Sequence, residues 1–244
     1  MTASMTASCQ IFEADRLDCR LVEHRLDLAE AEERRVEELW RENRSRNPSL
    51  YDGRILLARR AEALVDDSGQ RTLDVEFFEA PFSRYLAWKQ LGQPDWGVVN
   101  CFSAPALRSS DGAFLAGEMG RDHSQPGLIY FPCGTPDHDD VIGSRVDLTG
   151  CLIRELAEET GIQIDERDLA PGWRIVCYKK QRACLRIVNL ASDAQSELEK
   201  ALRHIRSQQK PELAGMRVFR RRADLAEPRL AQFMKGFLES VLAD

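Results

Sequence analysis

The chain has 244 residues, of which 43% are hydrophobic and 30% charged, and its formal net charge is −6. This composition excludes collagen-like, low-complexity and mainly disordered chains, and the length allows one large domain or a standard domain with an added module. The basic residues are dispersed, which argues against nucleic acid as a partner because phosphate-backbone binding needs a concentrated positive surface. No apolar run approaches the roughly 20 residues that cross a bilayer, so we expect a soluble protein with no membrane partner.

The N-terminus and the cysteines indicate a cytoplasmic protein. Residues 1–8 repeat a four-residue unit and lack the basic and apolar regions of a signal peptide, which predicts a flexible leader. The seven cysteines are odd in number and lack a Cys-x-x-Cys pair. Reduced thiols are therefore expected rather than a disulfide framework or a zinc site.

The only candidate domain boundary lies near Pro94. We expect a leader and first strand (residues 1–26), an α+β N-terminal module (27–95) and a larger C-terminal domain (96–244). The elements expected in the module are, in chain order, a helix over 28–47, a hairpin with strands over 54–64 and 71–78, and a short helix over 81–92. Asp27 and Glu30 have the spacing of a capping pair for the first helix.

The larger domain interleaves strands and helices, which predicts a mixed α/β fold. The expected strands cover 98–107, 113–118, 127–131, 173–178, 184–190 and 216–220, and the expected helices cover 148–160, 193–207 and 230–242. Residues 135–144 are polar and contain Pro136, which predicts an exposed loop. Asp147 and Gly161 are placed to begin and end the helix over 148–160.

The segment 154–162, Arg-Glu-Leu-Ala-Glu-Glu-Thr-Gly-Ile, carries the chemistry of the sequence. At about 100° per residue, Glu155, Glu158 and Glu159 fall on one helix face. These like charges repel, and Arg154 is placed to offset only part of that repulsion. A divalent cation that prefers oxygen ligands, Mg²⁺ or Mn²⁺, would remove the rest.

The alternative is a solvated acidic face with no ligand. Two neighbouring features favour a site instead. The helix follows a strand that ends in Phe131-Pro132-Cys133-Gly134, where glycine permits close approach of the backbone, and a polar loop lies between them.

This combination resembles the Nudix box, whose pattern is Gly-x5-Glu-x7-Arg-Glu-U-x-Glu-Glu-x-Gly-U with U aliphatic. The second half of the pattern matches at every specified position. The first half departs from it, because counting back from Arg154 places Asp140 and Val146 where the box has Gly and Glu. With Gly134 as the box glycine the loop is six residues longer, and Asp147 is the nearest acidic substitute for the missing Glu.

The resemblance implies roles for particular residues. Glu158 and Glu159 would be direct ligands of the metal, and Glu155 a ligand or the base. The backbone carbonyl of Cys133 would complete the metal shell, and Arg154 would hold a carboxylate in place. Many members recruit a further acidic residue from a late loop, for which the candidate is Glu212; its alternative is a solvated surface charge.

The resemblance also implies a fold and a reaction. The fold would be a Nudix α/β/α sandwich with a mixed sheet, preceded by the α+β module. The enzyme would be a Mg²⁺- or Mn²⁺-dependent diphosphohydrolase acting on a small nucleotide. The stretch from Leu39-Trp40 through Asn47-Pro48, together with Asp95-Trp96-Gly97, is similar to a subgroup that hydrolyses UDP-glucose and UDP-galactose to nucleoside monophosphate and sugar 1-phosphate.

Two alternatives stay open. One is a Nudix-fold sensor that binds a nucleotide without turnover, and the other is a hydrolase of another substrate such as ADP-ribose or coenzyme A. The sequence leaves the base, the sugar and the phosphorus attacked undefined, and it is compatible with a homodimer.

Several further residues have a functional and a structural interpretation. His138 lies among acidic residues of the lengthened loop, and Cys151 projects onto the acidic face one turn before Glu155. The aromatic residues that could hold the nucleoside end, or form core, are Tyr51, Tyr85, Trp88 and Trp96. The run 220–222 of arginines could meet phosphates or end a strand in solvent.

Overall fold

A computed structural model describes residues 9–121 and 125–243. The predicted leader lies outside the described residues. The strands are β1 (Gln10–Ala14), β2 (Arg16–Leu21), β3 (Arg54–Val65), β4 (Arg71–Pro81), β5 (Asn100–Arg108), β6 (Phe114–Met119), β7 (Ile129–Tyr130), β8 (Val141–Ile142), β9 (Arg145–Val146), β10 (Trp173–Tyr178), β11 (Gln181–Asn189) and β12 (Leu213–Phe219). The helices are α1 (Glu30–Arg46), α2 (Phe82–Gln90), α3 (Leu148–Thr160), α4 (Ala194–Ser207) and α5 (Gln232–Val241).

Within the described ranges the strands form two mixed sheets. The first has seven strands in the order β1-β10-β11-β5-β6-β12, with β7 beside β6, and only β11 and β5 pair in parallel. The second has five strands in the order β3-β4-β2-β9-β8, with β2 and β4 parallel.

Helices cover both faces of the first sheet. Consecutive residues of a strand point to opposite faces. On β5 the Phe102 ring meets Phe233 of α5 at a centroid distance of 5.3 Å, whereas the Ser103 hydroxyl donates to the Leu148 carbonyl of α3 at 2.7 Å. The predicted α/β/α arrangement around a mixed sheet is therefore confirmed.

Tyr85, Trp88 and Trp96 pack in the core of the N-terminal segment. Trp88 is fully buried and donates to the Pro94 carbonyl, and Tyr85 stacks on it at 6.3 Å. The Trp96 indole donates to Glu32 of α1. Their structural interpretation is confirmed, since burial leaves the faces of Tyr85 and Trp88 no room to stack on a ligand.

Three expectations about local structure are wrong, one of them in part. Helix α1 begins at Glu30 with Ala29 as its N-cap, and Glu32 accepts from the Ala29 N–H, so the predicted Asp27 and Glu30 do not form the cap. The N-terminal region contributes two strands rather than one, because β1 and β2 find distant partners in different sheets. The prediction of an exposed loop over 135–144 holds for residues 138–139 and 142–144 but is wrong for the rest, because the segment contains a short 3-10 turn, the β8 strand and the buried carboxylate of Asp140.

Strand pairing also crosses the predicted boundary near Pro94. β1 pairs with β10 of the first sheet, and β9 pairs with β2 of the second. The division into a module and a catalytic domain stays a prediction. None of the described helices is long and apolar enough to cross a membrane.

Candidate active site

Helix α3 is fixed at both ends by the residues that the sequence indicated. The Asp147 carboxylate accepts from the N–H groups of Thr149 and Gly150 at 3.0 and 2.9 Å. Gly161 ends the helix with φ 71°, a left-handed conformation that favours glycine. A side chain there would also collide with the His204 ring, since a Cβ would lie 2.6 Å from its Cγ. The helix, and with it the acidic face, is therefore held in a defined position.

The three carboxylates of this face differ in exposure. Glu159 is buried, with 5% of its surface exposed, and the side chain of Glu155 is 14% exposed. The side chain of Glu158 is 61% exposed. The face therefore has one buried carboxylate, one that is largely buried and one at its rim, which is unlike an ordinary solvated acidic helix face.

Gly134 makes room for Glu155. A Cβ on Gly134 would lie 2.5 Å from both Cδ and Oε1 of Glu155. The segment that follows β7 therefore meets the helix at a glycine, as the close approach predicted from the sequence requires.

Burial and mutual repulsion make the buried carboxylates hold protons more strongly. Burial raises the pKa of Glu155 to about 7, with Arg154 opposing the shift and Glu158 and Glu212 adding to it. The pKa of Glu159 is raised well above its usual range, first by burial and then by the charges of Glu155 and Glu212. The backbone N–H of Cys133 donates to Glu159 and offsets part of that shift.

Arg154 lies against three carboxylates. Its Nη1 is 2.8 Å from Glu155 and 3.3 Å from Glu158, and its Nη2 is 3.0 Å from Asp140. The guanidinium cannot give up its proton, so Arg154 orients and neutralises rather than reacts. The geometry fits the predicted holding role.

The donor set suits a hard divalent cation. Glu159 Oε2 is buried with no hydrogen-bond partner, which is costly for a carboxylate oxygen unless a ligand completes its coordination. Glu155 and Glu212 contribute further carboxylates to the same electrostatic environment. Oxygen ligands are those that Mg²⁺ and Mn²⁺ prefer. No three His, Cys, Asp or Glu side chains of the described residues are already gathered as a metal shell, so the ligand assignment stays a prediction.

The structure brings the other predicted metal-site residues to the same place. Cys133 is half-buried beside Glu159, and its thiol pKa is raised well above the usual range by burial and by Glu159 and Glu155. Glu212 lies in an exposed turn before β12, where its carbonyl accepts from the Gly120 N–H at 2.7 Å. Whether the Glu212 carboxylate and the Cys133 carbonyl reach a metal stays a prediction.

Other candidates have structural partners. His138 is exposed and pairs with Glu79 at 3.0 Å. Arg220 pairs with Asp111 at 2.6 Å, and Arg221 pairs with Asp224. Cys151 is buried, and burial raises its thiol pKa. These ion pairs and the burial of Cys151 give each of these residues a structural role that needs no ligand.

Sequence analysis missed the residue that pairs with Arg154. Asp147, the proposed substitute for the missing box glutamate, is occupied as the cap of α3. The partner is Asp140, whose side chain is 3% exposed. The sequence contained only an indirect signal for this pair, which is that an aspartate, Asp140, stands where the box has its glycine. No local pattern shows that the loop returns to Arg154 of α3.

Comparison with known proteins gives a weak likeness. No protein-family model and no curated protein matches the chain. The chain is similar to the MutT protein from Methanosarcina mazei Go1, with 15% identity, a TM-score of 0.39, and coverage of 59% of this chain and 92% of that one. It is also similar to RenU, a Nudix hydrolase from M. smegmatis, with 14% identity, a TM-score of 0.36, and coverage of 57% and 80%. Both TM-scores lie below the level usually taken to indicate a shared fold, so a functional proposal has to come from this chain's own residues.

Proposed function

We propose that this chain is a Nudix hydrolase that uses Mg²⁺ or Mn²⁺ to hydrolyse a nucleoside diphosphate linked to another moiety. One observation carries the proposal. The helix with the complete Arg-Glu-x-x-Glu-Glu pattern buries Glu155 and Glu159 against Gly134 and Cys133 and leaves Glu159 Oε2 without a partner.

The residues divide the reaction between them. Glu158, Glu159 and the Cys133 carbonyl would hold the cation, with Glu212 as a further ligand. The bound cation would neutralise charge on the diphosphate oxygens. Glu155, as a ligand or as the base, would take the proton of the attacking water. Water oxygen bonds to one phosphorus, the bridging P–O bond breaks, and two phosphomonoesters leave.

We further propose a nucleoside diphosphate sugar such as UDP-glucose as the substrate. The support is a cavity of about 500 Å³, within the range that takes a nucleoside. Its lining combines aromatic, basic and acidic side chains, among them Tyr51, Phe82, Arg54, Asp137 and His138. Tyr51 is 83% exposed, so one ring face is free to stack on a base.

The cavity is joined to the catalytic helix by a short stretch of chain. Asp137 and His138 line the cavity, and Asp140 of the same 3-10 turn pairs with Arg154. A substrate that spans both places would present its nucleoside end to Tyr51 and its diphosphate to Glu155.

A screen tests the proposal. The wild type is incubated with Mg²⁺ and with UDP-glucose, UDP-galactose, ADP-ribose or coenzyme A, and products are identified by phosphorus NMR. We expect UDP-sugars to give nucleoside monophosphate and sugar 1-phosphate. Tyr51→Ala should raise KM for UDP-glucose about tenfold, since base stacking contributes about 1–3 kcal/mol. The control is Val65→Ala, another exposed apolar residue, and equal KM values in both variants would refute the stacking role.

A sensor that binds a nucleotide without turnover is the second candidate. The observation that favours it is the departure of the first half of the box, where Asp140 and Val146 stand at the positions of the pattern's Gly and Glu. Binding of a UDP-sugar by calorimetry, with no product in any metal, would select the sensor.

The cellular setting is also a proposal. All seven cysteines are free thiols, which supports a reducing, cytoplasmic location. Sedimentation of the pure protein would separate a monomer from the homodimer that the sequence allows.

A further inference from the structure

Asp140 is a buried carboxylate that forms an ion pair with Arg154. Its side chain is 3% exposed, and both of its oxygens accept from Arg154 Nη2, at 3.0 and 3.1 Å. A buried carboxylate needs such a partner, because an unpaired charge in this position would be strongly destabilising. The pair therefore ties the lengthened loop to the catalytic helix.

The same guanidinium reaches the catalytic face through its other arm. Arg154 Nη1 lies 2.8 Å from Glu155 Oε1 and 3.3 Å from Glu158 Oε2. Arginine holds such forked contacts with a rigid planar group, so the position of one arm constrains the other. Asp140 thus acts on Glu155 through Arg154.

The backbone of the loop fixes Asp140 in place. Asp140 Oδ2 accepts from the Asp137 N–H at 3.1 Å, and the Asp140 carbonyl accepts from the N–H of Asp147, the cap of α3, at 2.8 Å. The loop and the first turn of α3 are therefore coupled through one residue.

The second sheet supports the loop from the other side. The Leu56 N–H of β3 donates to the Pro136 carbonyl at 2.7 Å, and the Leu21 N–H of β2 donates to the Ser144 carbonyl at 2.9 Å. Arg145 pairs with Asp18 at 2.7 Å. Both ends of the lengthened loop are bound to the N-terminal strands.

We propose that Asp140 is a positioning residue that fixes Arg154 and, through it, the Glu155 carboxylate, and that strands β2 and β3 of the second sheet brace the loop for this purpose. The proposal rests on the function proposed above. It gives the six extra residues of the loop a role, which is to bring the Asp140 carboxylate to Arg154.

The test is a double-mutant cycle on metal affinity. Mn²⁺ binding is measured by electron paramagnetic resonance, without substrate, for the wild type, Asp140→Asn, Arg154→Gln and the double variant. Asp140→Asn should weaken Mn²⁺ binding about 10- to 100-fold, the usual loss when a group that orients a metal ligand is removed. In the Arg154→Gln background the same change should cost no more than about threefold, because the path to Glu155 is already broken.

Two controls accompany the cycle. Asp67→Asn removes an exposed carboxylate in the turn between β3 and β4 and should bind Mn²⁺ like the wild type. Steady-state kinetics of Asp140→Asn should show a fall in kcat with KM nearly unchanged, since Asp140 touches neither the nucleoside cavity nor the cation.

Each outcome decides one question. The inference is overturned by an equal loss of affinity in both backgrounds, or by an Asp140→Asn protein that matches Asp67→Asn. A wild type that binds Mn²⁺ but hydrolyses no nucleotide refutes the proposed function alone. If Asp140→Asn fails to fold, Arg154→Lys tests the same link between Asp140 and Glu155, because lysine keeps the charge but lacks the two nitrogens that contact both carboxylates. Unchanged Mn²⁺ affinity in Arg154→Lys would overturn the inference.

Discussion

The absence of a side chain at Gly134 determines where the Glu155 carboxylate lies. The segment after β7 approaches α3 so closely that a Cβ at position 134 would lie 2.5 Å from Cδ and Oε1 of Glu155. The carboxylate is buried as a result, and burial is the main cause of its raised pKa. Both consequences follow from packing rather than from the local sequence.

Gly134→Ala should therefore displace Glu155 and reduce turnover of a nucleotide sugar about 100-fold, the scale of loss for a misplacement of about 1 Å. Gly215→Ala is the matched control, because a Cβ there would meet only Leu202, at 4.0 Å. Comparable kcat values for the two variants, measured with both proteins shown to be folded by circular dichroism, would contradict the packing account.

The raised pKa of Glu155 predicts a pH-dependent effect of metal on stability. Its folded-state pKa is about 7 against an ordinary value of 4.5. Between these values the folded protein holds a proton that the unfolded chain has lost, so this group's contribution to the free energy of unfolding falls as pH rises through the window. A cation binds the deprotonated carboxylate and offsets that fall.

We therefore expect Mg²⁺ to raise the melting temperature more at about pH 8 than at about pH 5.5. Glu155→Gln should flatten this dependence, whereas Glu37→Gln on the exposed face of α1 should preserve it. Scanning calorimetry with and without Mg²⁺ measures the difference. A shift in melting temperature that is equal at both pH values in the wild type would rule out proton competition at Glu155.

At the scale of elements, α3 was the most predictable part of the site. Asp147 and Gly161 mark its ends locally, and the structure has the predicted bounds to the residue. The N-cap of α1 was not predictable in this way, because the observed cap is Ala29, which has no side-chain oxygen to mark a helix start, whereas Asp27 and Glu30 have the spacing of a capping pair. The fold of the loop before α3 was not predictable either, because the loop forms hydrogen bonds with β2 and β3, which lie far away in the sequence. Leu21 and Ser144, for example, are bonded although more than a hundred positions separate them.

Asp147 has an element-scale role that separates it from Asp140. Asp147→Ala should lower the free energy of unfolding by about 1 kcal/mol through loss of the α3 cap. It should leave Mn²⁺ affinity unchanged, since Asp147 contacts no carboxylate of the acidic face. Asp193→Ala, which removes the cap of α4, is the matched control for stability. Denaturant unfolding and Mn²⁺ titration give both quantities, and a large loss of Mn²⁺ affinity in Asp147→Ala would restore it as the substitute for the box glutamate.

In the whole molecule, each of the two sheets contains strands from both sides of the predicted boundary near Pro94. β1 completes the edge of the first sheet, and the β8–β9 hairpin completes the second. Such pairings join residues far apart in sequence, which local patterns cannot predict. The class of fold was predictable because it depends on alternating patterns; the connection between the sheets was not.

This connection predicts cooperative unfolding of the full chain. The far-ultraviolet circular dichroism, which reports both sheets, and the tryptophan fluorescence of a Trp173→Phe variant, which reports only the N-terminal segment because Trp173 lies in β10, should follow one thermal transition. Two separated midpoints would show that the N-terminal segment unfolds independently and that its strands do not brace the rest.

Metal-dependent hydrolysis through Glu159 is tested most directly by comparing the wild type with Glu159→Gln and Glu37→Gln. The substrate is UDP-glucose, assayed with and without Mg²⁺. Glu159→Gln keeps the shape of the side chain but removes the buried charge that would bind the cation. We expect the wild type and Glu37→Gln to release nucleoside monophosphate and glucose 1-phosphate only with the metal, and Glu159→Gln to lose kcat by about three orders of magnitude or more while remaining folded. Equal turnover in Glu159→Gln and Glu37→Gln, or turnover independent of metal, would contradict this expectation.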